Sequence, residues 1–180
     1  VVVVEGPSGI GKTALVQHFL RSARQTDPRL VVFCGRCREN EALGYRAFDA
    51  VVDALSDYLR GLPAAEAEQL LPPYLVELAK LFPVLAGAPA PLRVARQSPE
   101  VVDSVDQRHR AFQGLRELLA RLARRRRIVV FIDDLHWADG DSGALLRHLM
   151  RPPDAPALLL IVALRSADHQ VAMSSAAAAS

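Results

Sequence analysis

Gly6-Pro7-Ser8-Gly9-Ile10-Gly11-Lys12-Thr13 sets glycines, a lysine and a hydroxyl in the order G-x-x-x-x-G-K-T. Glycines let a loop turn tightly and bring backbone N–H groups close to an anion. A helix following such a loop adds unpaired N–H groups and the positive end of its dipole. Lys12 supplies a compact charge that reaches the outer phosphates, and the Thr13 hydroxyl is an oxygen ligand of the kind Mg²⁺ prefers. The spacing is that of a P-loop, or Walker A motif. It assigns Gly6, Pro7, Ser8, Gly9, Ile10, Gly11, Lys12 and Thr13 to the polyphosphate of a nucleotide.

A second group lies more than a hundred residues on. The apolar run Ile128-Val129-Val130-Phe131-Ile132 delivers Asp133 and Asp134 at its end, a Walker B pattern. In open α/β sheets, ligands sit at the carboxyl ends of the strands. Asp133 is then expected to hold Mg²⁺ through a water, and Asp134 to orient or deprotonate an attacking water. Another apolar run, Leu158 to Leu164, ends in Arg165. An arginine at the tip of a strand beside the P-loop strand can report a γ-phosphate, because its fork binds phosphate bidentately. The expected catalytic set is therefore Lys12, Asp134 and Arg165, and the expected metal ligands are Thr13 and Asp133.

Strands and helices must alternate to position these groups. Val1–Glu5 reads as the strand ahead of the loop, and Gly11–Arg24 as the helix after it, stopped near Thr26-Asp27-Pro28. Leu30–Cys34 reads as a second strand. Tyr45, Phe48, Val51, Val52, Leu55, Tyr58 and Leu59 share one face at helical spacing. A further helical stretch is expected over Ala64–Leu81, then a Pro/Ala-rich crossing from Phe82 to Pro99. Ser104 and Gln107 form a capping pattern ahead of a helix carrying Phe112, Leu115, Leu118, Leu119 and Leu122. Ser142–Met150 reads as a short helix closed by Pro152-Pro153. Strands that are apolar throughout are strands covered on both faces. The expectation is an α/β, three-layer P-loop fold with a mainly parallel sheet, truncated at both ends. Residues 1–170 form the ATPase core, and 171–180 a Ser/Ala tail of low complexity.

Composition narrows the function classes. The chain has 180 residues, 51% hydrophobic and 23% charged, an ordinary globular balance with room for a core. A net charge of +2 gives no global attraction to nucleic acid or to a membrane surface. No apolar run approaches the ~20 residues of a membrane span, and no signal peptide is evident, so a cytoplasmic location is expected. Opening inside a strand, the chain is expected to be a fragment of something larger.

Two other features carry less. Cys34-Gly35-Arg36-Cys37 is a C-x-x-C, but a structural zinc site needs four ligands and there is no second cysteine pair. Arg124–Arg127 is a basic run that reads as a solvated helix end, with a nucleic-acid contact or an arginine finger as the sharper alternative. Direct nucleic-acid binding is not expected. His136 and Trp137, just after the acids, can pack the loop under the nucleotide or take part in coupling; Trp137 is the single tryptophan.

The phrases VEGPSGIGKTALV, GRCRENEALGYRAFDAVVDAL and VVFIDDLHWADGDS together resemble the signal-transduction ATPases of the STAND class, within the P-loop branch that includes the AAA proteins. The likeness spans about Val1 to Ser166. It implies the ATPase domain of a large bacterial regulator, fused to a kinase domain, helical repeats or a LuxR-type DNA-binding domain. It implies ATP and Mg²⁺ carried by Lys12, Thr13 and Asp133, Asp134 as the second acid, and Arg165 as the strand-four arginine. It also implies a five-stranded sheet with strand one central, four of whose strands occur here. The function expected is an ATP-binding, slowly hydrolysing switch, with nucleotide-dependent self-association as a further possibility. A nucleotide-gated scaffold without turnover and a P-loop kinase for a small metabolite are the alternatives. No Asn-Lys-x-Asp segment supports GTP.

Overall fold

The computed structural model describes residues 1–37, 45, 47–87 and 104–166. The tail at 171–180, residues 88–99 of the Pro/Ala-rich stretch, and residues 38–44 and 46 of the second family-like phrase lie outside them. Two compact units are present. One is Val1–Val51, Arg126–Arg147 and Ala157–Ser180; the other is Val52–Arg125 and His148–Pro156.

The first unit is built on a parallel sheet of β1 (Val2–Glu5), β2 (Leu30–Arg36), β3 (Arg127–Asp133) and β4 (Leu158–Leu164), in the order β1-β4-β3-β2. All three pairings are parallel, with Glu5 opposite Leu164, Phe131 opposite Ile161, and Arg36 opposite Asp133. The four carboxyl ends therefore share one edge. Strand one borders β4 but stands at the end of this sheet rather than at its centre, since no fifth strand occurs among the described residues.

Helix α1 (Lys12–Thr26) packs on one sheet face. Val16 and Leu20, one turn apart, join Val32, Val129, Phe131, Ile161 and Ala163 in a buried cluster, with Val4, Leu30 and Leu159 at its margin. Burying each large aliphatic side chain stabilises the fold by ~1.5–3 kcal/mol. The alternate residues Ile128, Val130, Ile132, Leu160, Val162 and Leu164 are also buried, so β3 and β4 are covered on both faces. α1 stops where Asp27 turns extended at φ −128°, ψ 102°. Pro28 disfavours helical geometry in the residue before it, which fixes that end.

The other helices are α2 (Asp49–Arg60), α3 (Ala64–Leu70), α4 (Leu75–Leu81), α5 (Ser104–Ala123) and α6 (Gly140–Met150). α2 starts four residues after Tyr45, which sits at φ +66° and so cannot belong to the helix whose spacing it shares. Tyr45 and Phe48 are buried all the same. The single helical stretch expected over Ala64–Leu81 is two helices, because Leu71 turns extended (ψ 129°) ahead of Pro72-Pro73. The Pro/Ala-rich stretch begins with a 3₁₀ turn at Pro83–Gly87 rather than as open loop.

Within the second unit, Leu115, Leu118, Leu119 and Leu122 of α5 are almost fully buried. Gly114 allows close approach there, since a Cβ on it would lie 3.0 Å from the Tyr74 carbonyl oxygen.

Candidate nucleotide site

The loop between β1 and α1 is held at both ends. The Gly6 N–H donates to the Leu164 carbonyl (3.4 Å), tying the loop's first residue to β4. At the far end, Gly11 at φ +99° is the helix N-cap, and its carbonyl accepts from the Leu15 N–H (2.9 Å). Gly9 also has positive φ, +79°. These are backbone states that a side chain would strain, which accounts for two of the motif's glycines.

No side chain caps α1, and its first turn carries no acid. The N–H groups of Lys12, Thr13 and Ala14 have no carbonyl of their own helix to reach, so the helix start presents open donors of the kind that suit an anion. The Lys12 ammonium donates to the carbonyls of Gly6 (2.8 Å) and Pro7 (2.9 Å), which folds its charge back over the loop. An ammonium has three donors, so one remains.

β3 brings its acids to the same place. The Thr13 hydroxyl donates to Asp133 Oδ2 at 2.7 Å, across a sequence separation of 120 residues. Asp133 is 3% exposed. Its other oxygen, Oδ1, accepts from the Asp134 N–H (3.0 Å). One carboxylate and one hydroxyl in contact suit Mg²⁺, which keeps several waters and takes phosphate oxygens as its other ligands. They do not suit a cation needing a full protein cage, and no group of three or more His, Cys, Asp or Glu that could hold a metal occurs among the described residues.

Asp134 is placed differently. It lies at φ +53°, ψ +39°, a left-handed conformation uncommon outside glycine but tolerated by Asp. Arg36, at the end of β2, donates to Asp134 Oδ2 from both Nε (3.1 Å) and Nη2 (3.0 Å). The expected water-activating carboxylate is thus already occupied by a cation. The sequence gives Arg36 no role of its own, within the C-x-x-C or the family-like phrase; it is the parallel register that sets Arg36 opposite Asp133.

The 3₁₀ turn Leu135–Trp137 follows the acids, closed by Trp137 N–H to Asp134 carbonyl (3.0 Å). The rings of His136 and Trp137 are 5.1 Å apart, and the Arg165 guanidinium carbon lies 5.6 Å from the centre of the Trp137 ring. Arg165 therefore sits where its strand was expected to end, but against an aromatic face.

Asp139, the next acid along the chain, is a helix cap. Its carboxylate accepts from the Ser142 N–H (2.7 Å) and hydroxyl (3.0 Å), and Ser142 Oγ accepts from the Ala47 N–H (3.2 Å). α6 consequently begins at Gly140, two residues earlier than its spacing suggests.

Cys37 is buried and Cys34 exposed, and no disulfide joins them. Desolvation of its inner side raises the Cys34 thiol, with the Arg24 charge pulling the other way, which is the wrong direction for a reactive thiolate. In the basic run, Arg125 bonds Gln69 and Arg127 pairs with Asp27. No described helix is long and apolar enough to cross a membrane.

Against known proteins, a family model described as AAA ATPase domain matches residues 1–162. No curated protein matches the chain.

Proposed function

The chain belongs to the AAA ATPase domain family, and from that premise we propose that it is an ATP-binding, slowly hydrolysing Mg²⁺-dependent switch domain of a bacterial signalling or transcription regulator. The observation that carries this reading is the 2.7 Å contact between Thr13 of the P-loop and the buried Asp133 of β3. It brings the P-loop and the acid at the end of β3 to one point.

In this reading the N–H groups from Gly9 to Thr13 cradle the phosphates, and Lys12 turns its remaining donor and its charge to the outer ones. Thr13 and Asp133 would hold Mg²⁺, whose contribution when bound is to neutralise phosphate charge. Burial of Asp133 among apolar strands keeps its carboxylate fixed while its neighbours move. Asp134 takes the proton of the attacking water, a role open to it only when Arg36 lets go. Arg165 reads the terminal phosphate. Loops ordered by ATP and released after hydrolysis or exchange give the switch, and its output lies in fused domains.

The ion pair between Arg36 and Asp134 favours one other reading, a nucleotide-gated scaffold with no turnover. Single-turnover hydrolysis by the wild-type chain and by Asp134→Asn separates the two. A switch ATPase loses roughly 10²-fold or more in the variant, the usual effect of a general base. Equal and negligible turnover in both, with nucleotide bound, establishes the scaffold instead.

A further inference from the structure

Arg165 and Trp137 make a contact that neither motif explains. Arg165 follows Leu164, the residue whose carbonyl accepts from the Gly6 N–H, so its backbone is pinned beside the first residue of the P-loop. Trp137 is anchored by its own N–H to the Asp134 carbonyl (3.0 Å), in the turn that begins with the acids. The guanidinium lies over the indole face at 5.6 Å, and His136 packs against the same indole at 5.1 Å. Among the described residues no carboxylate pairs with Arg165. The partner chosen has a chemical consequence. A carboxylate would bind the fork of the guanidinium and use its N–H donors. An aromatic face attracts the cation through its quadrupole and leaves the donors, which point outward in the plane, available.

We propose that Trp137 is the positioning residue for Arg165, holding the guanidinium at the C-terminal edge of the sheet so that its fork meets the terminal phosphate. Trp137 thereby sets the preference for a nucleoside triphosphate over a diphosphate. The inference rests on the nucleotide-binding reading above and deepens it. Trp137 touches no reacting atom. Its effect falls on discrimination, with diphosphate affinity unmoved.

The test is the ratio of ATP to ADP dissociation constants, measured with Mg²⁺ by calorimetry on the full chain. The wild type, Trp137→Phe, Trp137→Leu, Arg165→Ala and the Arg165→Ala/Trp137→Leu double variant are compared. Trp137→Leu lowers the ATP preference by roughly three- to tenfold, the reach of one cation–π contact, and Trp137→Phe falls between Leu and wild type. ADP affinity stays within twofold (roughly the resolution of such additivity comparisons) in all of them. The double variant is no worse than Arg165→Ala, because the aromatic has no cation left to hold. Emission of the single tryptophan in nucleotide-free protein shifts in Arg165→Ala, a readout that needs no ligand. An unchanged ratio in Trp137→Leu, or full additivity in the double variant, overturns the inference while leaving nucleotide binding intact. Failure of the wild type to bind either nucleotide overturns the nucleotide reading itself, and this inference with it.

Discussion

At the scale of single residues, Asp133 and Asp134 differ in what holds them. They are adjacent in sequence and identical in type, yet the first is sealed in the sheet against Thr13 and the second is turned out by a left-handed backbone into the grip of Arg36. A pair in which Arg36 is largely exposed is worth at most ~1 kcal/mol. Arg36→Ala is therefore expected to raise single-turnover hydrolysis roughly two- to fivefold by freeing Asp134, with no change in nucleotide affinity. A fall in hydrolysis would mean that Arg36 orients the carboxylate productively instead of restraining it. The P-loop and the strand-end acids were legible in the sequence, because glycine spacing and an apolar run ending in acids are local patterns. The Arg36 contact was not, since it spans 98 positions and depends on which strands are neighbours.

At the scale of elements, apolar runs predicted β4 to the residue and β3 to within one residue at each end, as expected for strands buried on both faces. Elements whose limits depend on a single backbone angle were less legible. Tyr45 has helical spacing but a positive φ, and the double proline at 72–73 splits a continuous amphipathic stretch. Gly35 tests the packing of β2: a Cβ there would lie 2.8 Å from the Ala47 carbonyl oxygen and 2.9 Å from Val51 Cγ2. Gly35→Ala should cost ~1–3 kcal/mol in urea unfolding, as over-packing does. A variant as stable as wild type would show that the segment after β2 yields freely.

His148, near the end of α6, gives a second test at this scale. Its ring meets His109 edge-on at 5.1 Å and Phe112 at 5.7 Å, and its Nε2 has no hydrogen-bond partner among the described residues. Burial, then the charges of Arg116, His109 and Arg151, push its pKa down to about 4. Folded His148 thus resists a proton that the unfolded chain accepts near pH 6.5. Its contribution to stability is complete above that value and is lost as pH falls from 6.5 towards 4. His148→Gln should flatten the fall in Tm between pH 7 and pH 4.5; an equally steep fall in the variant would assign the acid sensitivity elsewhere.

At the scale of the whole molecule, strand identity was legible in the residues themselves and strand order through the family likeness. β1 was expected at the centre of a five-stranded sheet of which four strands occur here; among the described residues it pairs with β4, the neighbour expected, and with no other strand. Apolar runs carry no label for their partners. The result is an edge strand with Val2 46% and Val3 48% exposed, and with Leu15 and Phe19 of α1 exposed as well. Unpaired strand edges with apolar flanks template association. Sizing chromatography of this chain should show self-association that grows with concentration and weakens in Val3→Lys. A monomer at every concentration would mean that this edge is protected.

The central claim is that the loop from Gly6 to Thr13 binds a nucleotide. Calorimetric titration of the wild-type chain and of Lys12→Ala with ATP, ADP and GTP, each with Mg²⁺, tests it most directly. The account predicts binding of ATP and ADP by the wild type, weaker binding of GTP, and loss of all three in a Lys12→Ala variant that remains folded. A folded wild-type chain that binds no nucleotide, or a Lys12→Ala chain that binds as tightly, would contradict it.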